Sequence, residues 1–179
     1  MNFETKHIIR WGIPGWVFLL SAILYFYLDN PVSLNSLLGK DGFILVGIGA
    51  ILAGLGVPIG YLIHQISMFF GFVIVTKRNR YFKEEYELDR LIMDGEKGDR
   101  IRTRYRHLLS RVHELRALKY SHLLSAILIS CLEIFVNKQY NSWFWILLTI
   151  NILLFIIVQV NQTYFNDNLK FFIKKIKEG

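Results

Sequence analysis

The chain has 179 residues, with 21 Lys and Arg against 14 Asp and Glu, a formal net charge of +7. Apolar residues make up 53%, charged residues 20%, and the mean hydropathy is +0.35. This apolar excess lies in long uncharged runs, which argues against a disordered chain, a disulfide scaffold or an ordinary soluble enzyme core. The single Cys131 excludes an intrachain disulfide and a multi-cysteine metal site. The sequence carries no internal repeat and no low-complexity segment.

The first uncharged run, residues 11–28, lies between Arg10 and Asp29. As a helix it reaches about 27 Å, close to the thickness of a hydrocarbon core. Tyr25-Phe26-Tyr27-Leu28-Asp29 at its end offers no small-residue cleavage site, so it reads as a retained span rather than a signal peptide. Pro14 sits near its start, where a missing N–H is tolerated.

The second run, between Asp41 and Lys77, would extend about 52 Å as one helix. Gly42, Gly49, Ala53, Gly56 and Gly60 share one helical face of it. In lipid, small residues let helix backbones approach closely. Two readings follow for Gly49, Ala53, Gly56 and Gly60: packing against another span of the same chain, or a self-association seam or pore wall. Pro58 interrupts the hydrogen-bond ladder between them. His64 and Gln65 follow near the inner end, His64 being either a satisfied structural histidine or a pH- or ion-sensitive one.

Residues 77–119 are charged and helical in pattern. Phe82, Glu85, Leu88 and Ile92, with Tyr81 and Leu91 beside them, are expected to share one face of a first helix. Asp94-Gly95-Glu96-Lys97-Gly98-Asp99 reads as a turn. Ile101, Tyr105, Leu108, Val112 and Leu115 then repeat as a heptad-like seam, and no Gly or Pro interrupts Arg100 to Val136. One long helix should rise from the turn into the third run, Tyr120 to Val136.

Arg100, Arg104, His107 and Arg111 form a stripe on that helix, suited to a nucleotide, an oligonucleotide, a lipid headgroup or a protein partner. The competing reading has Glu84, Glu85, Glu87 and Asp89 fold opposite residues 103–108 and neutralise the stripe through interhelical ion pairs.

The third run holds one charge, Glu133, expected at the interface within reach of water or Lys138, or else as part of a cation-attracting ring in an oligomer. The fourth run, Gln139 to Asn166, is uncharged and carries Asn151 at mid-span, expected to hydrogen-bond between helices. Phe165, Leu169, Phe172 and Ile176 with Lys170, Lys174 and Lys177 make the tail a basic amphipathic helix. It should lie on the membrane surface or continue the fourth span and dock on the hairpin.

Basic residues set the orientation. Residues 1–10, 77–119 and the tail hold nineteen of the 21 Lys and Arg, and the two remaining loops hold two. The fold class is therefore all-α: a four-span transmembrane helical bundle with a cytoplasmic helical hairpin and both termini in the cytoplasm. The predicted organisation is an N-terminal transmembrane pair over 1–76 with spans 11–28 and 42–66, the second continuing up to residue 76 in one version. The hairpin over 77–119 follows, then a C-terminal pair over 120–163 with spans 120–137 and 142–162, and the tail over 164–179.

No Walker A loop, GxSxG, HExxH, CxxC or dinucleotide fingerprint is present, so no catalytic residue, metal ligand or cofactor is predicted and the chain is read as a non-enzyme.

Ile9-Arg10-Trp11-Gly12-Ile13-Pro14-Gly15-Trp16, the four short spans and the basic hairpin resemble small multi-span membrane components of bacterial anti-phage defence systems, such as the membrane subunits of Kiwa and Hailong. The resemblance is architectural and carries over no functional residues. It implies an oligomeric inner-membrane effector, channel-like or membrane-disrupting, controlled from the cytoplasm by a partner protein or nucleotide. The alternative is a membrane sensor or scaffold that recruits a cytoplasmic protein.

Overall fold

The computed structural model describes residues 3–29, 43–93 and 98–178, all of them in helices or the short turns between them. Five helices follow in chain order: α1 (Phe3–Asp29), α2 (Phe43–Met68), α3 (Arg78–Met93), α4 (Gly98–Leu132) and α5 (Ser142–Glu178). One wide π-helical turn, Phe69–Val73, extends α2, and a second, Glu133–Asn137, extends α4. Loop 29–41, Gly42 and residues 94–97 of the expected turn lie wholly or largely outside the described residues.

Four helices are long and apolar enough to cross a membrane: Arg10–Leu28, Leu52–Val73, and stretches within the helices Gly98–Asn137 and Ser142–Glu178. At 1.5 Å per residue α4 and α5 each exceed about 50 Å, so each continues well beyond a hydrocarbon core. The bundle thus has an apolar half, ending at the turn 138–141, and a charged half built from α3 and the ends of α4 and α5.

In the charged half, the expected seam packs α4 on α5: Leu108, Val112 and Leu169 are buried among Tyr105, Leu109, Phe165, Phe172 and Ile173. The tail therefore continues the fourth apolar helix without a break and docks on α4. Helix α3 buries Leu88 and Ile92, and Tyr81 stacks edge-on against Phe72 at 4.9 Å. Phe82, expected on the same face, is 61% exposed. At 3.6 residues per turn it lies about a quarter-turn or more from Tyr81, Leu88 and Ile92, which define the true inner face.

In the apolar half, α1 and α2 meet through glycines. Gly15 lies against the Gly56 and Gly60 backbone, Gly56 against the Trp16 ring, and Gly60 against the Trp11 carbonyl. A Cβ at any of the three would strike backbone or ring, so glycine is what allows the contact. The Trp16 indole N–H also donates to the Leu52 carbonyl at 2.9 Å. Gly49 and Ala53 take no part: Ala53 is exposed, and a Cβ at Gly49 would meet nothing within 4 Å. Pro14 is not in a first turn, because α1 begins at Phe3. It sits inside the helix, and its carbonyl accepts the Ser121 hydroxyl at 2.6 Å, tying α1 to α4.

Candidate functional site: a basic cleft along α4

Polar side chains in the apolar half are almost all consumed by one another. Glu133 is 0% exposed. It accepts the Tyr25 hydroxyl at 2.6 Å and the Tyr140 backbone N–H, while Asn137 donates to the Tyr25 oxygen at 2.7 Å. Its carboxylate is closed to water and forms no ion pair with Lys138, whose backbone N–H donates instead to the Glu133 carbonyl at 2.7 Å, contrary to the expectation of an interfacial carboxylate. A carboxylate stripped of water needs strong donors, and α1 and the turn supply them. Lys138 and Tyr140 sit at φ 57° and 49°, left-handed values that side chains adopt at a cost of about 1–3 kcal/mol each. The Glu133 carboxylate offsets part of that cost by capturing the Tyr140 N–H.

Deeper in the same half, Asn151 joins three helices. Its side-chain oxygen accepts from Ser21 at 3.3 Å and from His122 Nδ1 at 3.2 Å, and its amide donates to the Leu147 carbonyl at 3.0 Å. His122 is buried and was not singled out from the sequence, since its neighbours Ser121 and Leu123 give no sign of a partner on α5.

At the level where the two halves meet, cations gather. Arg116 is only 9% exposed and has no carboxylate partner among the described residues. Its guanidinium donates to His113 Nδ1 at 3.3 Å, approaches Met68 Sδ at 3.6 Å and lies 5.8 Å from the centre of the Phe72 ring. Gly71 leaves room for its stem. Because His113 must accept from Arg116, its ring is neutral; burial first, then Arg116, Arg10 and His64, push its pKa down to about 4. His64 itself is half-buried, and its carbonyl accepts the Ser67 hydroxyl at 2.8 Å. Nearby, Lys119 donates to Gln159 at 2.8 Å.

Beyond this level an open cleft of about 1030 Å³ follows the face of α4 opposite the α5 seam. Arg100, Arg104, Arg106, His107 and His113 line it together with Arg10 from α1, and Asp99 is the one acid among its described lining residues. Residues 99–113 extend it over about 21 Å of helix. Three members of the predicted stripe, Arg100, Arg104 and His107, belong to it, and Arg104 also lies over the Phe172 ring at 5.5 Å. Arg111 does not. It points away and pairs with Glu114 at 3.3 Å, because the cleft faces a line roughly a quarter-turn round the helix from the stripe.

The expected interhelical neutralisation is absent among the described residues. Glu84 pairs with Arg80 of its own helix at 2.7 Å. Glu85 faces tyrosines instead: burial and this carboxylate push Tyr81 up to about 12, and the same causes raise Tyr105. Arg100, Arg102, Arg104 and Arg106 have no ion-pair partner among the described residues. Arg10 and Arg106 were outside the predicted stripe. Arg106 carried a signal in the alternating arginines, whereas Arg10 enters only because α1 packs beside α4.

No group of three or more potential metal-binding side chains occurs among the described residues. No protein-family model, curated protein or solved structure matches the chain.

Proposed function

We propose that this chain is a four-span protein of the bacterial inner membrane whose charged half faces the cytoplasm and senses a phosphate-bearing anion. The observation that carries this reading is the row of arginines along the α4 cleft that have no carboxylate partner among the described residues. Guanidinium groups hold phosphate oxygens through paired N–H donors, and several in a row suit a ligand with several phosphates. Following the architectural resemblance, the sensor serves anti-phage defence, and its output is a channel-like or membrane-disrupting response of an oligomer, with a cytoplasmic protein as partner.

The experiment is a titration of detergent-purified protein with tripolyphosphate, followed by calorimetry. Saturable binding is expected, and Arg100→Gln with Arg104→Gln should weaken it about tenfold or more, because charge-assisted hydrogen bonds are lost. Absence of binding would remove the reading. Nanodiscs of neutral and of anionic phospholipid separate a free anion from a lipid headgroup. If anionic lipid alone abolishes tripolyphosphate binding, the headgroup is the occupant. Conductance across planar bilayers, with and without the anion, tests the channel output.

A further inference from the structure

Arg10 stands apart from the other cleft cations. It belongs to α1, whereas every other described lining residue belongs to α4. Its tether is weak: Nε lies 3.9 Å from Glu114 Oε1 and has no hydrogen-bond partner although it is buried. Glu114 is already engaged on its own helix, taking the Ser110 hydroxyl at 2.9 Å on one oxygen and Arg111 at 3.3 Å on the other. A buried guanidinium nitrogen without an acceptor is costly, so Arg10 is poised to exchange a poor partner for a better one. A phosphate oxygen in the cleft is such a partner.

Arg10 adjoins the glycine seam. The next residue, Trp11, places its carbonyl against Gly60 and its ring against Tyr61 at 5.3 Å. Further along α1, Pro14, Ser21 and Tyr25 are fastened to α4 and α5. The stretch of α1 that carries Arg10 thus adjoins both the cleft and the α1–α2 contact.

The lining also narrows the ligand. Among the described residues the cleft presents guanidinium, imidazole and hydroxyl groups and the Asp99 carboxylate, with Leu109 as the one apolar side chain and no Phe, Tyr or Trp ring. It is rich in phosphate-binding groups and lacks the Phe, Tyr and Trp rings on which bases stack best.

We infer that Arg10 is a ligand-released latch: a polyphosphate chain in the α4 cleft draws its guanidinium from Glu114 and thereby shifts α1 against α2 at the Trp11–Gly60 contact. This inference rests on the anion-sensing reading above. It makes Arg10 both a binding residue and the link by which occupancy reaches the membrane-spanning half.

The test uses full-length protein with Trp143→Phe and Trp145→Phe, so that the remaining tryptophans, Trp11 and Trp16, report the seam. Tripolyphosphate should shift their emission on saturation, and ATP should bind no tighter than tripolyphosphate. Arg10→Gln should weaken binding about fivefold and abolish the shift even at saturation. Arg104→Gln should weaken binding yet keep the full shift once saturated. Glu114→Gln leaves Arg10 in place, keeps the test open if Arg10→Gln fails to fold, and should move the unliganded emission toward the liganded position. Binding by the parent with an unchanged shift in Arg10→Gln, or an unliganded Glu114→Gln identical to the parent, overturns the latch alone. No binding by the parent overturns the anion-sensing reading as well.

Discussion

The turn end of the bundle and the cleft end treat charge in opposite ways. At the turn end one carboxylate, Glu133, is wholly buried and met by Tyr25 and a backbone N–H. At the cleft end several arginines stand in an open groove with no ion-pair partner among the described residues. The first arrangement fits a group with no access to water, which must find its partners inside the chain. The second fits a surface whose partner comes from outside, since solvent screens unpaired cations until a ligand displaces it. The same difference separates the glycines: Gly56 and Gly60 are filled by α1, whereas Gly49 opens on empty space.

The largest effect should come from closing the glycine seam. Gly60→Val forces a side chain into the Trp11 carbonyl, and backbone cannot yield as a flexible side chain does. A loss of about 3 kcal/mol is expected, at the upper end for overpacking, visible as aggregation or a lower melting midpoint in detergent. Tyr25→Phe should follow. It removes the hydroxyl donor from a buried carboxylate at a cost of about 2 kcal/mol. The same change at an exposed ring, Tyr86→Phe, should leave the midpoint unchanged.

Acid should reach the junction between the two regions next. Folded His113 takes up a proton only near 4, whereas an unfolded chain does so near 6.5. Between those values the unfolded state binds more protons, so stability falls as the pH drops through that window. At about pH 5 the loss amounts to about 2 kcal/mol relative to neutral pH. Melting curves of wild type and His113→Gln should converge as the pH falls, with the variant flatter. The smallest effect belongs to Gly49→Ala, where the added methyl meets nothing. It should be neutral or stabilising by up to about 1 kcal/mol through helix propensity, and an equal loss there would place a second copy of the chain against that face.

Orientation is checked separately. In a Cys131→Ser background, the proposed orientation has Arg104→Cys react with an impermeant maleimide only after the membrane is opened.

Much of the helix content was legible because its signals are local. Uncharged runs gave four apolar helices, and the heptad spacing of Tyr105, Leu108 and Val112 marked the face that meets α5. Three of the cleft's six basic side chains were legible for the same reason, since Arg100, Arg104 and His107 lie on one helix. Glu133 was harder to read. Its distance from the end of a run suggested access to water, but the hydroxyl that buries it comes from Tyr25, more than a hundred residues earlier in the chain. His122 and Asn151 likewise become a pair only when α4 and α5 pack. The acids of α3 seemed destined for the arginines of α4, yet the inner face of α3 is set by Tyr81, Leu88 and Ile92, which turns Glu84 back to Arg80 and Glu85 toward tyrosines.

Composition and periodicity alone determined that this chain is helical, that four of its helices have the length and apolarity to cross a bilayer, and that its positive charge is concentrated at one end. These are properties of single helices, fixed by side-chain transfer energies and the 3.6-residue turn. Only the tertiary structure decided which charges are satisfied and which stand open. That depends on neighbours from distant parts of the chain: Arg10 stands beside α4 because α1 packs on that helix, where the Ser121 hydroxyl meets the Pro14 carbonyl.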